Sequence, residues 1–173
     1  VRFMSYYCQI DQVRRMGQRN VLEIGIGNKT VSNYLRQQGY GLTTCDLDPA
    51  LKPDVVGDIR ALPWEANRFD LVMACEILEH LPWEDVPKAL RELHRVSRKN
   101  VLLSIPYLSV YLEIVLRWPG IKKLVGKSYL DCCIRLPFPF LKPSKSHFWE
   151  MGMRGHSLKT IRRLLCQHFT IVR

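Results

Sequence analysis

The sequence has no long hydrophobic run. Its longest apolar stretch, near Tyr107 to Leu116, is too short to span a bilayer and is interrupted by Glu113, so no transmembrane segment is expected. The opening residues, VRFMSYYCQIDQVRRM, lack the continuous apolar core of a secretory signal. No CxxC pair and no Cys/His metal spacing occurs among the six cysteines at 8, 45, 75, 132, 133 and 166, so no metal is expected. Cys132 and Cys133 are adjacent and cannot easily bridge each other. Reduced thiols in a cytoplasmic protein are the simplest account. There is no internal repeat and no low-complexity tract. Acid is scarce: 16 Asp and Glu stand against 26 Lys and Arg, a formal charge of +10.

A basic balance favours anionic partners such as nucleic acid, phosphorylated metabolites or an acidic membrane surface. The positive residues gather late, at Lys122, Lys123, Lys127, Lys142, Lys145, Arg154, Lys159, Arg162 and Arg163. A solvated basic face with no specific partner fits equally well. The 173 residues and the 47% apolar fraction suit one globular domain with a proper core.

Strand and helix patterns alternate. Residues 3–16 read as a helix ahead of the sheet. Strands are expected at 20–24, 41–45, 54–56, 69–74 and 100–105. Helices are expected at 30–38 and 84–97, the second with Val86, Ala89, Leu90, Leu93 and Val96 on one face. Several strands are continuously apolar, which argues for a parallel sheet covered on both sides. The expected fold is therefore α/β: a doubly wound, mostly parallel Rossmann-like sheet with helices on both faces.

After Pro106 the alternation breaks. Residues 107–146 mix apolar, aromatic and basic residues with Pro119, Pro137, Pro139 and Pro143. This segment reads as a substrate-side insertion or lid. A helix is expected at 157–167, with Leu158, Ile161, Leu164 and Leu165 on one face, followed by a sixth strand over Phe169 to Val172. The expected divisions of a single domain are 1–17, 18–106, 107–146 and 147–173.

The chemistry concentrates after the first strand. Gly25 and Gly27 let a backbone approach a ligand, and the following helix offers unpaired N–H groups. A dinucleotide site wants another glycine at position 30, which is Thr, so a nicotinamide enzyme is disfavoured. Glu23 lies where an acid can hold a positively charged ligand group. Asp46 ends the second strand, where an acid grips ribose hydroxyls. Asp58 follows the third strand. Each acid could instead be a turn or cap residue. Together they outline one crevice at the carboxyl ends of the strands.

The segments VLEIGIGNKTVSNYL, TTCDLDP, VVGDIRALPWEANRFDLVMACEILEHLPWEDVPKALRELHRVS and NVLLSIP resemble the successive motifs of class I S-adenosylmethionine-dependent methyltransferases of the type 11 branch. The resemblance runs from about 18 to 106. HFWEMGMRGHSLKTIRRLL is similar to the C-terminal part of poorly characterised bacterial members. The resemblance implies S-adenosylmethionine as cofactor and methyl transfer by in-line displacement. It implies that Glu23, Gly25 and Gly27 flank the methionine part, that Asp46 with Leu47 meets the ribose (Asp48 being its rival), that Asp58 and Ile59 meet the adenine, and that Cys75 and Glu76 line cofactor and substrate. The sequence departs from the pattern at Asn28 and Lys29, where a third glycine is frequent. The family sheet usually ends in a seventh, antiparallel strand, so a C-terminal strand is expected to be missing.

Methyl transfer needs a general base only if the acceptor must lose a proton early. His147, with Glu150 nearby, and His80 are the candidates; a purely structural role is the alternative for His80. No [DN]PP[YF] motif follows strand four, and Cys75 follows Ala74 rather than Pro. A small-molecule acceptor is therefore the leading reading. RNA comes second, on charge alone, beside an inactive Rossmann-like binding module. The apolar run at 107–118 followed by Arg117, Lys122, Lys123 and Lys127 also suggests peripheral membrane contact. Oligomeric state is not legible.

Overall fold

The apolar runs become strands in the computed structural model, which describes residues 2–108, 110–116, 130–136 and 144–172. Strands β1 (Asn20–Ile24), β2 (Gly41–Asp46), β3 (Val55–Val56), β4 (Phe69–Cys75) and β5 (Ser97–Ser104) form one sheet in the order β3-β2-β1-β4-β5. Each neighbouring pair is parallel. The order reverses between β1 and β4, which opens a crevice at their carboxyl ends.

Side chains alternate across the sheet because successive Cβ atoms point to opposite faces. Val21, Leu71 and Met73 pack with Val13 of α1 (Arg2–Met16) and with Val31 and Leu35 of α2 (Thr30–Gln37). Leu22, Ile24, Val72 and Ala74 pack on the other face with α3 (Val86–Val96). Val86, Ala89, Leu90, Leu93 and Val96 are all buried there, as the helical spacing predicts. Trp149 and Ile161 of α4 (Leu158–Leu165) complete this layer. Each such buried side chain contributes about 1.5–3 kcal/mol of transfer free energy.

Several expectations need correction. β5 starts at Ser97 rather than near 100, because a register shift between Phe69 and Leu71 lets the chain pair earlier, and Ser97 Oγ donates to Asn100 O at 2.8 Å. Leu158 is exposed and not on the apolar face of α4. No sixth strand forms over Phe169–Val172. The N–H groups of His168 and Phe169 both close α4 by donating to Leu165 O, at 3.0 and 2.9 Å, so the chain leaves the helix in a turn. Phe169 then packs on the core while Ile171 and Val172 stay exposed.

The described part of the expected insertion is an antiparallel pair, β6 (Val110–Leu116) and β7 (Leu130–Leu136), paired from Val110↔Leu136 to Leu116↔Leu130. Ile114, Cys132 and Ile134 are exposed. The basic residues Arg117, Lys122, Lys123, Lys127 and Lys142, Trp118, and prolines 119, 137, 139 and 143 lie outside the described residues. Among the described residues, no helix is long and apolar enough to cross a membrane.

Candidate functional site

A cavity of about 590 Å³ opens at the β1/β4 crevice. Its floor is the turn after β1. Gly25 N continues the ladder by donating to Cys45 O at 2.9 Å, and the chain then folds back, with Lys29 N donating to Ile26 O at 2.8 Å. Gly25 has φ +78°, and a Cβ there would fall 1.9 Å from Ile77 Cδ1. Gly27 has φ +47° and open space where a Cβ would lie. The position usually taken by a third glycine also needs left-handed backbone: Lys29 adopts φ 63° there.

Four carboxyl groups line the cavity: Glu23, Asp46, Glu76 and Glu79. Glu23 is buried and accepts a hydrogen bond from Ser32 Oγ at 2.6 Å. Burial pushes its carboxyl up to about 7, against the Ser32 hydrogen bond and the Arg36 charge. Asp46 braces the glycine turn. Its Oδ2 accepts from Ile26 N at 2.9 Å and its Oδ1 from Asp48 N at 3.0 Å. Asp48 is spent elsewhere, capping the short turn Pro49–Leu51 by accepting from Ala50 N at 2.8 Å. Asp46, not Asp48, faces the cavity.

Glu76 follows β4 in left-handed backbone, φ 58°, and its Oε1 accepts from Ser104 Oγ at 2.8 Å. Cys75 also lines the cavity, but burial pushes its thiol up to about 12, which removes it as a nucleophile at neutral pH. Three residues implied by the resemblance do not line the cavity. Leu47 is 67% exposed, and Ile59 is packed in the core. Asp58 accepts from Arg60 Nε at 3.0 Å and from its terminal nitrogen at 2.6 Å, and Arg60 also reaches Asp85 at 2.6 Å. These hydrogen bonds hold the Asp58 carboxyl below the usual range. Asp58 thus serves as a turn residue and loop staple.

The far wall comes from two separated segments. His80 ends a 3-10 turn, Leu78–His80, just after β4. Residues 146–150 dock on that turn: Phe148 N donates to Glu79 O at 2.8 Å and the Trp149 indole to Leu81 O at 3.1 Å. His80 and His147 meet edge to face with ring centroids 4.7 Å apart. His80 Nδ1 lies 2.9 Å from Ser146 O, and a carbonyl only accepts, so Nδ1 carries the proton. His147 Nδ1 lies 2.7 Å from Glu150 Oε1, which also accepts from Ser144 N at 2.9 Å. Both rings therefore have Nε2 as the nitrogen left unengaged by these contacts.

Sequence reasoning missed Glu79, Ser144 and Ser146 on this wall, and Ser5, Tyr6 and Gln9 of α1 on the opposite side. The helical spacing of positions 5, 6 and 9 is a usable signal, since Gln9 Nε2 donates to Ser5 Oγ at 3.1 Å on one face. Nothing in the sequence distinguishes Glu79 from a surface acid.

A parallel sheet with a glycine turn and acids at its switch point is the class I methyltransferase arrangement. Residues 22–105 match the family model described as "Methyltransferase domain", and this stretch of the chain is a methyltransferase domain. It is 27% identical over 165 residues to a ubiquinone biosynthesis O-methyltransferase of Pseudomonas aeruginosa, covering 86% of this chain and 64% of that protein. It is 35% identical over 98 residues to a malonyl-[acyl-carrier protein] O-methyltransferase of Pseudescherichia vulneris, covering 49% of this chain and 38% of that one. The chain thus spans 64% of the length of the first of these relatives. The same fold occurs in the MccD protein, with TM-score 0.53, 15% identity, and coverage of 95% of this chain and 71% of that one. It also occurs in an amino pentose methyltransferase from Micromonospora echinaspora solved with S-adenosylmethionine bound, with TM-score 0.50, 16% identity, and coverage of 67% and 58%.

The family cofactor is S-adenosylmethionine, and the residues present fit it. The turn is narrow enough at Gly25 that a side chain there would collide with Ile77. The acid-lined wall, in a chain of net charge +10, suits a ligand bearing a sulfonium and an ammonium.

Proposed function

We propose that this chain transfers a methyl group from S-adenosylmethionine to a small-molecule acceptor held in the same cavity. The observation that carries this reading is one cavity with two chemically distinct ends. One end has Glu23, the Gly25–Gly27 turn and Asp46; the other has His80 and His147. When bound, the cofactor supplies an activated methyl group. The protein's task is then orientation and exclusion of water. Glu23 holds the ammonium end, the glycine turn admits the methionine part, and Asp46 takes the ribose hydroxyls. His80 and His147 are the groups that meet the acceptor, each locked in one orientation through Nδ1.

RNA and lipid-surface contact rest on the late basic segment, much of which lies outside the described residues. The acid lining of the cavity favours a small acceptor over a phosphate backbone. The same proposal includes a cytoplasmic location, in keeping with the free thiols of Cys8, Cys45, Cys75, Cys132 and Cys166, and a lid role for 107–146.

Calorimetric titration with S-adenosylmethionine and a methyl-donor screen over hydroxylated and amino acceptors test the reading. His147→Ala should lower turnover and leave cofactor affinity nearly intact. Unchanged turnover removes His147 from the mechanism, and a folded chain that binds no cofactor removes the methyl-transfer reading.

A further inference from the structure

Glu79 is the least satisfied group in the described structure. Its side chain is fully buried, yet neither carboxyl oxygen has a hydrogen-bond partner. It faces the cavity beside His80 and His147. A buried carboxyl normally finds a partner or a counter-charge, so an unpartnered one needs an explanation.

The neighbours supply one. A carboxyl oxygen of Glu79 and one ring nitrogen each of His80 and His147 lie within 4.8 Å of one another. Donor atoms around one ion at about 2.0–2.2 Å stand roughly 3–4 Å apart, so small side-chain rotations close the set. Both imidazoles carry the outer partner that metal-bound histidines have. His147 gives its Nδ1–H to the Glu150 carboxylate, and His80 gives its own to the Ser146 carbonyl. That leaves Nε2 on each ring with its lone pair. Glu150 is buried and is itself anchored by Ser144 N, so the outer shell is rigid.

We propose that Glu79, His80 and His147 bind a divalent first-row transition cation at the acceptor end of the cavity. Two imidazoles and one carboxylate form a borderline-soft set, with three protein ligands and open positions for a further oxygen. Assigning those open positions to the acceptor rests on the methyl-transfer reading; the ion site itself does not. The acceptor class that follows is a hydroxyl compound. A hydroxyl bound to the ion becomes a stronger acid and gives its proton to water. Its oxygen then forms the bond to the methyl carbon while the carbon–sulfur bond breaks and its electron pair returns to sulfur. The ion changes neither charge nor oxidation state. As ligands, His80 and His147 are not free to act as bases, and the ion takes over that task.

No short spacing links His147 to His80, which lies far from it along the chain, so this set is not legible in the sequence alone. The test uses the full chain after dialysis against a chelator, titrated with Co²⁺ and followed by visible d–d absorption and calorimetry. The expected result is one Co²⁺ per chain with ligand-field bands. Affinity should fall roughly tenfold or more in His80→Ala and His147→Ala, since loss of even an outer partner costs that much. His94→Ala, on α3, should bind as the wild type does. Glu79→Gln should also lose the ion. Because it alters a fully buried side chain, the exposed His80→Ala variant carries the test if Glu79→Gln does not fold. No bands on the folded wild type at millimolar Co²⁺, or equal affinity in wild type and both histidine variants, overturns the site. Titration of the same samples with S-adenosylmethionine separates the two readings: cofactor binding without Co²⁺ binding defeats the ion site alone, and Co²⁺ binding without cofactor binding defeats methyl transfer and leaves the ion site standing.

Discussion

Replacing Glu23 by Gln should make the protein more stable at high pH and worse at binding cofactor. Glu23 is 6% exposed, and its carboxyl is raised from 4.5 to about 7 by burial. The unfolded chain gives up this proton near 4.5, whereas the folded chain keeps it until about 7. Folding stability therefore falls as pH rises through that window and levels off above it. The full cost is roughly 3 kcal/mol at 1.36 kcal/mol per unit, of which about 2.5 kcal/mol develops between pH 5 and pH 8. Gln does not titrate and can still accept the Ser32 hydroxyl. The difference in unfolding free energy between E23Q and wild type should thus move by about 2.5 kcal/mol in favour of E23Q from pH 5 to pH 8. Every other titrating group is common to both proteins and cancels. Urea unfolding at the two pH values measures this directly. Calorimetry at pH 8 should show S-adenosylmethionine affinity reduced roughly 10- to 100-fold, the range for a lost hydrogen bond to a charged group. A stability difference that does not change with pH would refute the buried-carboxyl argument. Unchanged affinity would refute the assignment of Glu23 to the ammonium.

Two further substitutions separate roles that the sequence leaves merged. Asp58→Asn should cost about 0.5–1 kcal/mol, because it discharges a partly exposed pair with Arg60, and should leave cofactor affinity essentially unchanged; a tenfold loss by calorimetry would show that Asp58 touches the ligand after all. Lys29→Gly should stabilise by about 1 kcal/mol. It relieves a left-handed conformation worth about 1–2 kcal/mol in an L-residue and removes a cation from the positive end of α2, against glycine's greater loss of freedom on folding. A lower urea midpoint would show that the exposed Lys29 Nζ to Lys52 O contact, 3.2 Å long, matters more than the backbone.

What the sequence discloses follows from the range of the interactions. The α3 face is legible because one helix turns a fixed set of side chains inward, and all of Val86, Ala89, Leu90, Leu93 and Val96 are buried. The glycine turn is legible because backbone constraints are local. Asp46 and Asp48 are not separable from sequence: both suit a turn, and the choice depends on which N–H each finds in the fold. Here Asp46 braces Ile26 across the sheet, while Asp48 caps its own turn. Asp58 looked like a ligand group because of its place after β3, but Arg60, two residues on, captures it. The antiparallel pair of β6 and β7 defeated a periodicity reading, since a short apolar run fits strand and helix equally. The absent sixth strand defeated it for another reason, as the N–H of Phe169, where that strand would begin, closes α4 on Leu165 O.

Charge explains why the two ends of the cavity belong together. A chain with net charge +10 has put four carboxyl groups into one cavity, and burial raises two of them, Glu23 and Glu79. Ionising such buried carboxyls opposes folding unless positive charge arrives from outside. At the donor end that charge is the ammonium and sulfonium of the cofactor. At the acceptor end no described Lys or Arg lines the wall, and the two histidines leave Nε2 clear of their Nδ1 contacts with Ser146 and Glu150. No described Lys or Arg lines the wall beside Glu79, so in the proposed reading the acceptor end lacks the cation that the donor end receives from its ligand. A divalent ion supplies it, and it would sit where an acceptor oxygen must wait for the methyl group.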